Sequence, residues 1–365
     1  MVDKTKRDKI GVILLNLGGP DSLDAVKPFL YNLFSDRQII KLGPQFMQKP
    51  LAWLIATTRA KKTKRFYSLI GGKSPILDIT LAQAKALEDQ LNRQSAISNQ
   101  QSNLPTPPLE KGGKGGLPNN GHPKFKVYVG MRYWHPLIEE VIPEIYNSGI
   151  KRVIAFSLYP HYSVATAGSS LSKFKEVVAD YPIEYLSIAS WFDHPFYIEA
   201  LVDVIKKGLE SFTPSRILPH EKGREGLGDV HILFSAHSLP QKIIDGGDPY
   251  VTQIMATIEE ITKRIQIKWH LSYQSRSGPV KWLEPSTDEE IKSLAKEGIN
   301  NILVVPISFV SDHIETLYEI DILYENLAEG LGVKLKRVDS LNTHPVFMGA
   351  LKDLVQEIAK ETGWV

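Results

Sequence analysis

An alternation leaves this chain few ways to fold. Short runs rich in β-branched and apolar residues, each ending in a polar or glycine turn, are separated by stretches in which apolar residues recur at helical spacing. The runs are Ile10 to Leu17, Phe125 to Val129, Arg152 to Tyr159 and Ile183 to Ile188, then Val230 to Ser235, Trp269 to Tyr273, Asn301 to Pro306 and Val333 to Val338. Ile10 to Leu17 is apolar except for Gly11 and Asn16, as expected of a strand covered on both faces. Helical spacing follows in Leu23, Val26, Phe29, Leu30 and Leu33, and again from Leu77 to Leu91, Pro249 to Ile265 and Asp288 to Glu297. Four such units and then four more predict two similar Rossmann-like, doubly wound α/β domains, each with a four-stranded parallel sheet. At 365 residues the chain is too long for one ordinary core and suits two. In such sheets ligands bind beyond the carboxyl ends of the strands. Polar clusters follow the strands in both halves, so the two carboxyl edges are expected to face each other across one cleft.

The chemistry-bearing residues stand at those strand ends. His237 follows the run from Val230 to Ser235, and Pro240 forbids the strand from continuing. The stretch from Val304 to Glu315 has the same design and offers Asp312, His313 and Glu315. Glu315 and Glu319, four apart, would share one face of a helix begun after Ser311. An imidazole and a carboxylate can bind a divalent metal, or they can pair as base and orienting partner. Two ligands are too few for a closed structural site and suit one that holds a metal weakly and passes it on. Tyr133, Trp134, Tyr162, Trp282 and Phe309 suit a large, flat, apolar ligand. The first strand breaks at Gly18-Gly19-Pro20-Asp21-Ser22 without the dinucleotide fingerprint, so its glycines imply close backbone approach to a ligand without identifying it.

Composition excludes several classes. The chain has no cysteine, which removes disulfides, thiolate zinc sites and iron–sulfur clusters, so any metal must be met by nitrogen and oxygen. Lys plus Arg, at 43, nearly matches Asp plus Glu, at 41, so no nucleic-acid partner is indicated. Met1 to Lys9 is charged and leads directly into a strand, and no apolar run approaches the roughly eighteen residues of a spanning helix. A cytoplasmic protein is expected. Between Phe46 and Arg65 an apolar cluster around Trp53 precedes five basic residues in seven positions, a composition suited to a greasy anionic partner or a membrane surface. Periodicity is lost from Arg93 to Pro123, where Leu104 to Pro118 is too rich in Pro and Gly to pack, predicting a disordered surface insertion over 95–123. Thr213 to Asp229 reads as a second polar loop.

Several runs then resemble one family. Phe234-Ser-Ala-His-Ser-Leu-Pro240, Gly247-Asp-Pro-Tyr250, Gln274-Ser-Arg-Ser-Gly-Pro279 with Trp282, and Ser311-Asp-His-Ile-Glu-Thr-Leu-Tyr-Glu319 closely resemble ferrochelatase. So do Leu14 to Pro20, Gly71 to Pro75, Met131 to Pro136 and Tyr159 to Ser163. The resemblance covers nearly the whole chain outside the two polar loops. It implies a chelatase-like fold and an enzyme that inserts Fe(II) into protoporphyrin IX, releasing two protons and giving protohaem, the last step of haem synthesis. Iron is then a substrate, and no prosthetic group is required. By position the resemblance makes His237 and Glu315 the catalytic and metal-facing pair, with Glu319 on a metal or proton route. It makes Arg132, Tyr133, Ser74, Trp282, Phe309 and His313 porphyrin-binding residues. It further implies an N-terminal domain over 1–189 with a porphyrin and membrane lip at 46–75, a C-terminal domain over 190–340, and a helix in 341–365 packing back on the first domain.

Two departures from the family pattern bear on function. Where many members carry a third acidic residue eight positions beyond Glu315, this chain has Leu323. Where some carry arginines before the Gly71-Gly72 turn, it has Ser68 and Leu69, so pairing with propionates falls to residues such as Arg65 or Lys73. The alternatives are a chelatase for coproporphyrin or a cobalt precorrin, and a non-catalytic porphyrin carrier that would not need His237 and Glu315. Peripheral membrane contact through 46–65 is compatible with all of them.

Overall fold

The computed structural model describes residues 9–100, 124–212, 230–276, 278 and 280–365. Its strands are β1 (Lys9–Asn16), β2 (Lys124–Met131), β3 (Arg152–Ser157), β4 (Glu184–Ile188), β5 (Val230–His237), β6 (Trp269–Gln274), β7 (Asn301–Pro306) and β8 (Lys334–Arg337). They form two parallel sheets with strand orders β2-β1-β3-β4 and β6-β5-β7-β8, the same topology twice. In each sheet the chain reverses direction of travel between the first and third strands, which is where a crevice opens in doubly wound folds.

The helices of the first half are α1 (Val26–Ser35), α2 (Gln48–Leu69), α3 (Ile76–Gln100), α4 (Ile138–Asn147), α5 (Ala167–Val178) and α6 (Pro195–Glu210). Those of the second are α7 (Gln241–Asp245), α8 (Tyr250–Thr262), α9 (Thr287–Lys296), α10 (Glu325–Gly330) and α11 (Pro345–Glu361), with a π-helix over Glu315–Tyr324 before α10. Strand alternation sorts β1 between two layers. Ile13 and Leu15 pack with Ile138, Val141 and Phe174 under α4 and α5, while Ile10, Val12 and Leu14 join the larger core. That core continues through Tyr197 and Leu201 of α6, Phe234 of β5, Ile254 of α8 and Leu351 of α11. One apolar interior therefore joins the two sheets, and α11 packs against both α3 and α6. Burying each large aliphatic side chain contributes about 1.5–3 kcal/mol, so this shared core fixes the two carboxyl edges relative to one another.

Four expectations need correction. The strand expected to stop at Ser235 runs on to His237, whose Cα pairs with that of Gln274. Ser235 and Ala236 are fully buried, and side chains that small fit a ladder covered on both faces. Helix α3 continues to Gln100, past the point where apolar periodicity fails. Periodicity tracks a buried face, whereas Gln and Ala favour helix without one. The rest of the predicted insertion, and the loop from Thr213 to Asp229, lie outside the described residues.

The glycines after β1 serve the protein's own packing. A Cβ on Gly19 would lie 2.5 Å from the Ser74 hydroxyl, and Gly18, at φ +83°, lies against Met131 and Trp134. Finally, the helix carrying Glu315 and Glu319 is a π-helix. Its buried residues Thr316, Ile320 and Tyr324 recur every fourth position. That spacing drifts around a 3.6-residue turn and stays nearly in line on a wider one.

Candidate active site

The loops leaving β1 and β3 meet the loop leaving β7 around a cavity of about 40 Å³. Asn16, Leu17, Leu158 and Tyr159 line it from the first sheet, Ser308, Phe309, Val310, Ser311, His313 and Glu315 from the second, and Ile76 from α3. The two carboxyl edges thus face each other, as the strand-end clusters predict.

His237 is the last residue of β5. Its backbone N–H donates to Ser308 Oγ at 2.9 Å, and its carbonyl accepts from the Tyr250 hydroxyl at 3.0 Å. With the backbone so fixed, Nδ1 meets Glu315 Oε2 at 2.8 Å. The His237 side chain is 31% exposed and that of Glu315 15%. Phe309 lies edge-on to His237 and against His313, with ring centroids 6.3 and 4.3 Å away. His313 is buried, its Nδ1 3.0 Å from the Ser311 carbonyl and its Nε2 without a partner.

Two residues that sequence reasoning did not single out hold the carboxylates. Ser275 lies 2.8 Å from Glu315 Oε2 and 2.5 Å from Glu319 Oε2, so its one hydroxyl proton serves either acid. It sits at φ +66°, a backbone conformation uncommon for a residue with a Cβ. Gln274 donates to the Glu315 carbonyl at 3.0 Å and to Glu319 Oε2 at 3.4 Å, while its own Oε1 accepts from Ser235. Both belong to the Gln274-Ser-Arg run after β6, but nothing in a serine codon announces positive φ. Gln83 of α3 joins the lobes by donating to Ser311 Oγ and to the Asn342 carbonyl.

Electrostatics divides the acids. Burial favours neutral His237, but the Glu315 charge and hydrogen bond, with the Glu319 charge, more than offset it and hold the imidazole above its ordinary value. Glu315 is opposed by burial too, yet His237, with a hydrogen bond from Ser275, brings it down to about 2. Glu319 goes the other way: burial and the neighbouring Glu315 charge push it up to about 7. Burial lowers His313, so it stays neutral. The site therefore favours an imidazolium–carboxylate pair, beside a carboxyl that titrates near pH 7.

The remaining expected site residues do not themselves line this cavity. Arg132 and Tyr133 both bind Asp36, at 2.7 Å each, and Ser169 joins the same carboxylate. Tyr133 is almost fully buried, so its hydroxyl is committed to Asp36. Ser74 is buried beneath Gly19, and its backbone N–H donates to the Pro20 carbonyl. Trp282 is half-buried and bridges by backbone to Pro240 on the His237 loop. Leu323, at the outer position of the acid-bearing face, is exposed, and Lys73 is paired with Asp78. Among the described residues no three His, Cys, Asp or Glu side chains are gathered as a ready metal cage.

A ferrochelatase family model matches residues 9–104 and 114–359. Curated relatives named ferrochelatase include one from Geobacter metallireducens, 48% identical over 356 residues that make up 96% of this chain and 98% of that one. Another from Geotalea uraniireducens is 46% identical with the same shares of each chain covered, and one from Synechocystis is 44% identical over 96% of this chain and 82% of its own. Among solved structures, SirB from Bacillus subtilis with Fe3+ shares the fold, at a TM-score of 0.50 and 11% identity over 98% of this chain and 97% of that one.

Proposed function

The chain belongs to the ferrochelatase family, and from that premise we propose that it inserts Fe(II) into protoporphyrin IX at the cavity between its two sheets, yielding protohaem and two protons. The observation that carries the reading is the 2.8 Å contact between His237, at the end of β5, and Glu315, which follows the adjacent strand β7 and lines the cavity.

The two acids divide the work. Ionised Glu315, with Glu319 one turn on, attracts Fe(II) and substitutes for part of its water shell. In the resting site the Glu315 charge favours the protonated form of His237, which weakens it as a base. A dication near Glu315 cancels the charge that raises the imidazole. Burial then dominates, His237 gives up its proton to solvent, and its freed nitrogen accepts one from a pyrrole. Glu319, titrating near pH 7, is placed to accept or relay the second. The neutral His313 Nε2, buried beside Phe309, is a further partner for the macrocycle or its protons. Gripping the macrocycle in a bent form would bring the pyrrole lone pairs out of plane before the metal arrives, a strain met by contacts remote from the centre.

A cavity of about 40 Å³ is far below the several hundred that a drug-sized ligand fills. Admission of a tetrapyrrole therefore requires the cavity to widen. At the outer end of α2, Phe46, Met47, Trp53 and Leu54 are exposed beside Lys49 and Lys27, whose ammonium lies over the Trp53 ring. Among the described residues no helix is long and apolar enough to cross a membrane, so contact with an anionic bilayer would be peripheral, from a cytoplasmic enzyme. The test is absorbance-monitored Fe(II) insertion by the purified chain, with protoporphyrin and coproporphyrin compared. Faster turnover of protoporphyrin is expected; turnover of coproporphyrin alone would refute the substrate assignment, and none with either would refute the activity.

A further inference from the structure

A π-helix of ten residues is rare, because its wide turns align hydrogen bonds poorly and most instances last a single turn. Something outside the helix must favour it over the tighter α-helical winding. On one side Ser275 and Gln274 hold Glu315 and Glu319. On the opposite side stands Arg337, the last residue of β8, its side chain only 11% exposed.

Its guanidinium makes a forked pair with Asp321, Nε to Oδ1 at 2.7 Å and Nη2 to Oδ2 at 2.8 Å. Its third nitrogen, Nη1, lies 3.1 Å from Asp312 Oδ1 and also donates to the Val338 carbonyl and Ser340 Oγ. Asp312 precedes the π-helix and is held in turn by Ser340, Asn342 and Thr316 at 2.7, 2.8 and 3.2 Å. Arg337 therefore grips one carboxylate just before Glu315 and another just after Glu319. The gripping strand is anchored in the sheet, since the Arg337 Cα pairs with that of Val304 in β7.

We infer that Arg337 is a positioning residue for metal insertion: by tying Asp312 and Asp321 to β8 it fixes the winding that sets Glu315 at the cavity and Glu319 one turn on against Ser275. A change of winding between those two anchors would rotate Glu319 away from Ser275 and alter its reach relative to Glu315. The planar fork supplies direction as well as charge, which a lysine ammonium cannot. The inference rests on the reading of Glu315 and Glu319 as the carboxylates that meet the metal.

The experiment uses the full chain with Asp321→Asn, Asp321→Glu and Arg337→Lys. Hydrogen–deuterium exchange reports the winding directly, and steady-state Zn(II) insertion into protoporphyrin reports the consequence. Asp321→Asn and Arg337→Lys should exchange faster across 315–324 with β7 and α9 unchanged. The KM for metal should rise about tenfold, the range typical of lost support behind metal-facing groups, while the KM for porphyrin stays within about twofold. Asp321→Glu, which restores a carboxylate, should recover part of both. Wild-type protection across 315–324 in both variants would overturn the inference, as would an unchanged metal KM. So would a rise shared equally by both substrates, which would mark general destabilisation. The exchange arm does not depend on turnover, so failure of the clamp and failure of the active-site reading can be told apart.

Discussion

Glu315→Gln keeps the length of the side chain and an oxygen able to accept from His237 Nδ1, but removes the charge. In the wild type burial favours neutral His237, and Glu315 outweighs it. The contact is 2.8 Å, with both side chains less than a third exposed. Unit charges about 4 Å apart interact by about 1 kcal/mol in water and about 4 kcal/mol near a protein surface, so an intermediate value of about 2 kcal/mol is reasonable here. Removing the charge leaves burial in control, so the His237 midpoint falls. The sign for stability follows from both partners. The raised His237 contributes fully below its ordinary 6.5 and loses this as pH rises through its folded value. The lowered Glu315 contributes fully above 4.5 and loses this as pH falls through about 2. The variant should therefore be most destabilised between about pH 5 and 6, and progressively less so in alkali. NMR of 13C-labelled imidazoles, with His237 assigned among the ten histidines by comparison with His237→Gln, reads the midpoint. An identical His237 midpoint in wild type and Glu315→Gln would refute the electrostatic reasoning.

Other expectations concern the second acid and the lip. Glu319 is raised from 4.5 to about 7, so the stability tied to its protonated form is present below pH 4.5 and gone above about 7. Glu319→Gln should thus melt like wild type near pH 4 and be more stable at pH 8, by at most about 3 kcal/mol; equal melting at both pH values would contradict this. Sedimentation with anionic vesicles should capture the wild-type chain at low salt, less of it at high salt, and little of a Trp53→Ser, Leu54→Ser double variant. No capture at low salt would discard the membrane role of α2.

Much of this was legible in the chain because burial on two faces writes continuous apolar runs. Ile10 to Leu15 and Ile302 to Val305 could hardly be anything but central parallel strands. His237 and Glu315 were legible because each follows such a run at a carboxyl edge. What stayed hidden depends on geometry that residue type does not encode. Ser275 bridges two acids only because of a positive φ that glycine usually supplies. The π-helix hides in a four-residue spacing that a short segment shares with an α-helix. Asp36 gathers Arg132 and Tyr133 from about a hundred positions away, and Arg337 reads locally as an ordinary polar strand end.

The most direct measurement is absorbance-monitored Fe(II) insertion by wild type and His237→Ala, with porphyrin affinity measured by fluorescence on the same samples. His237→Ala should lose insertion while binding porphyrin within roughly tenfold of wild type, a difference of no more than about 1.4 kcal/mol. A variant that metallates protoporphyrin at the wild-type rate would show that the contact between positions 237 and 315 is not where the chemistry happens.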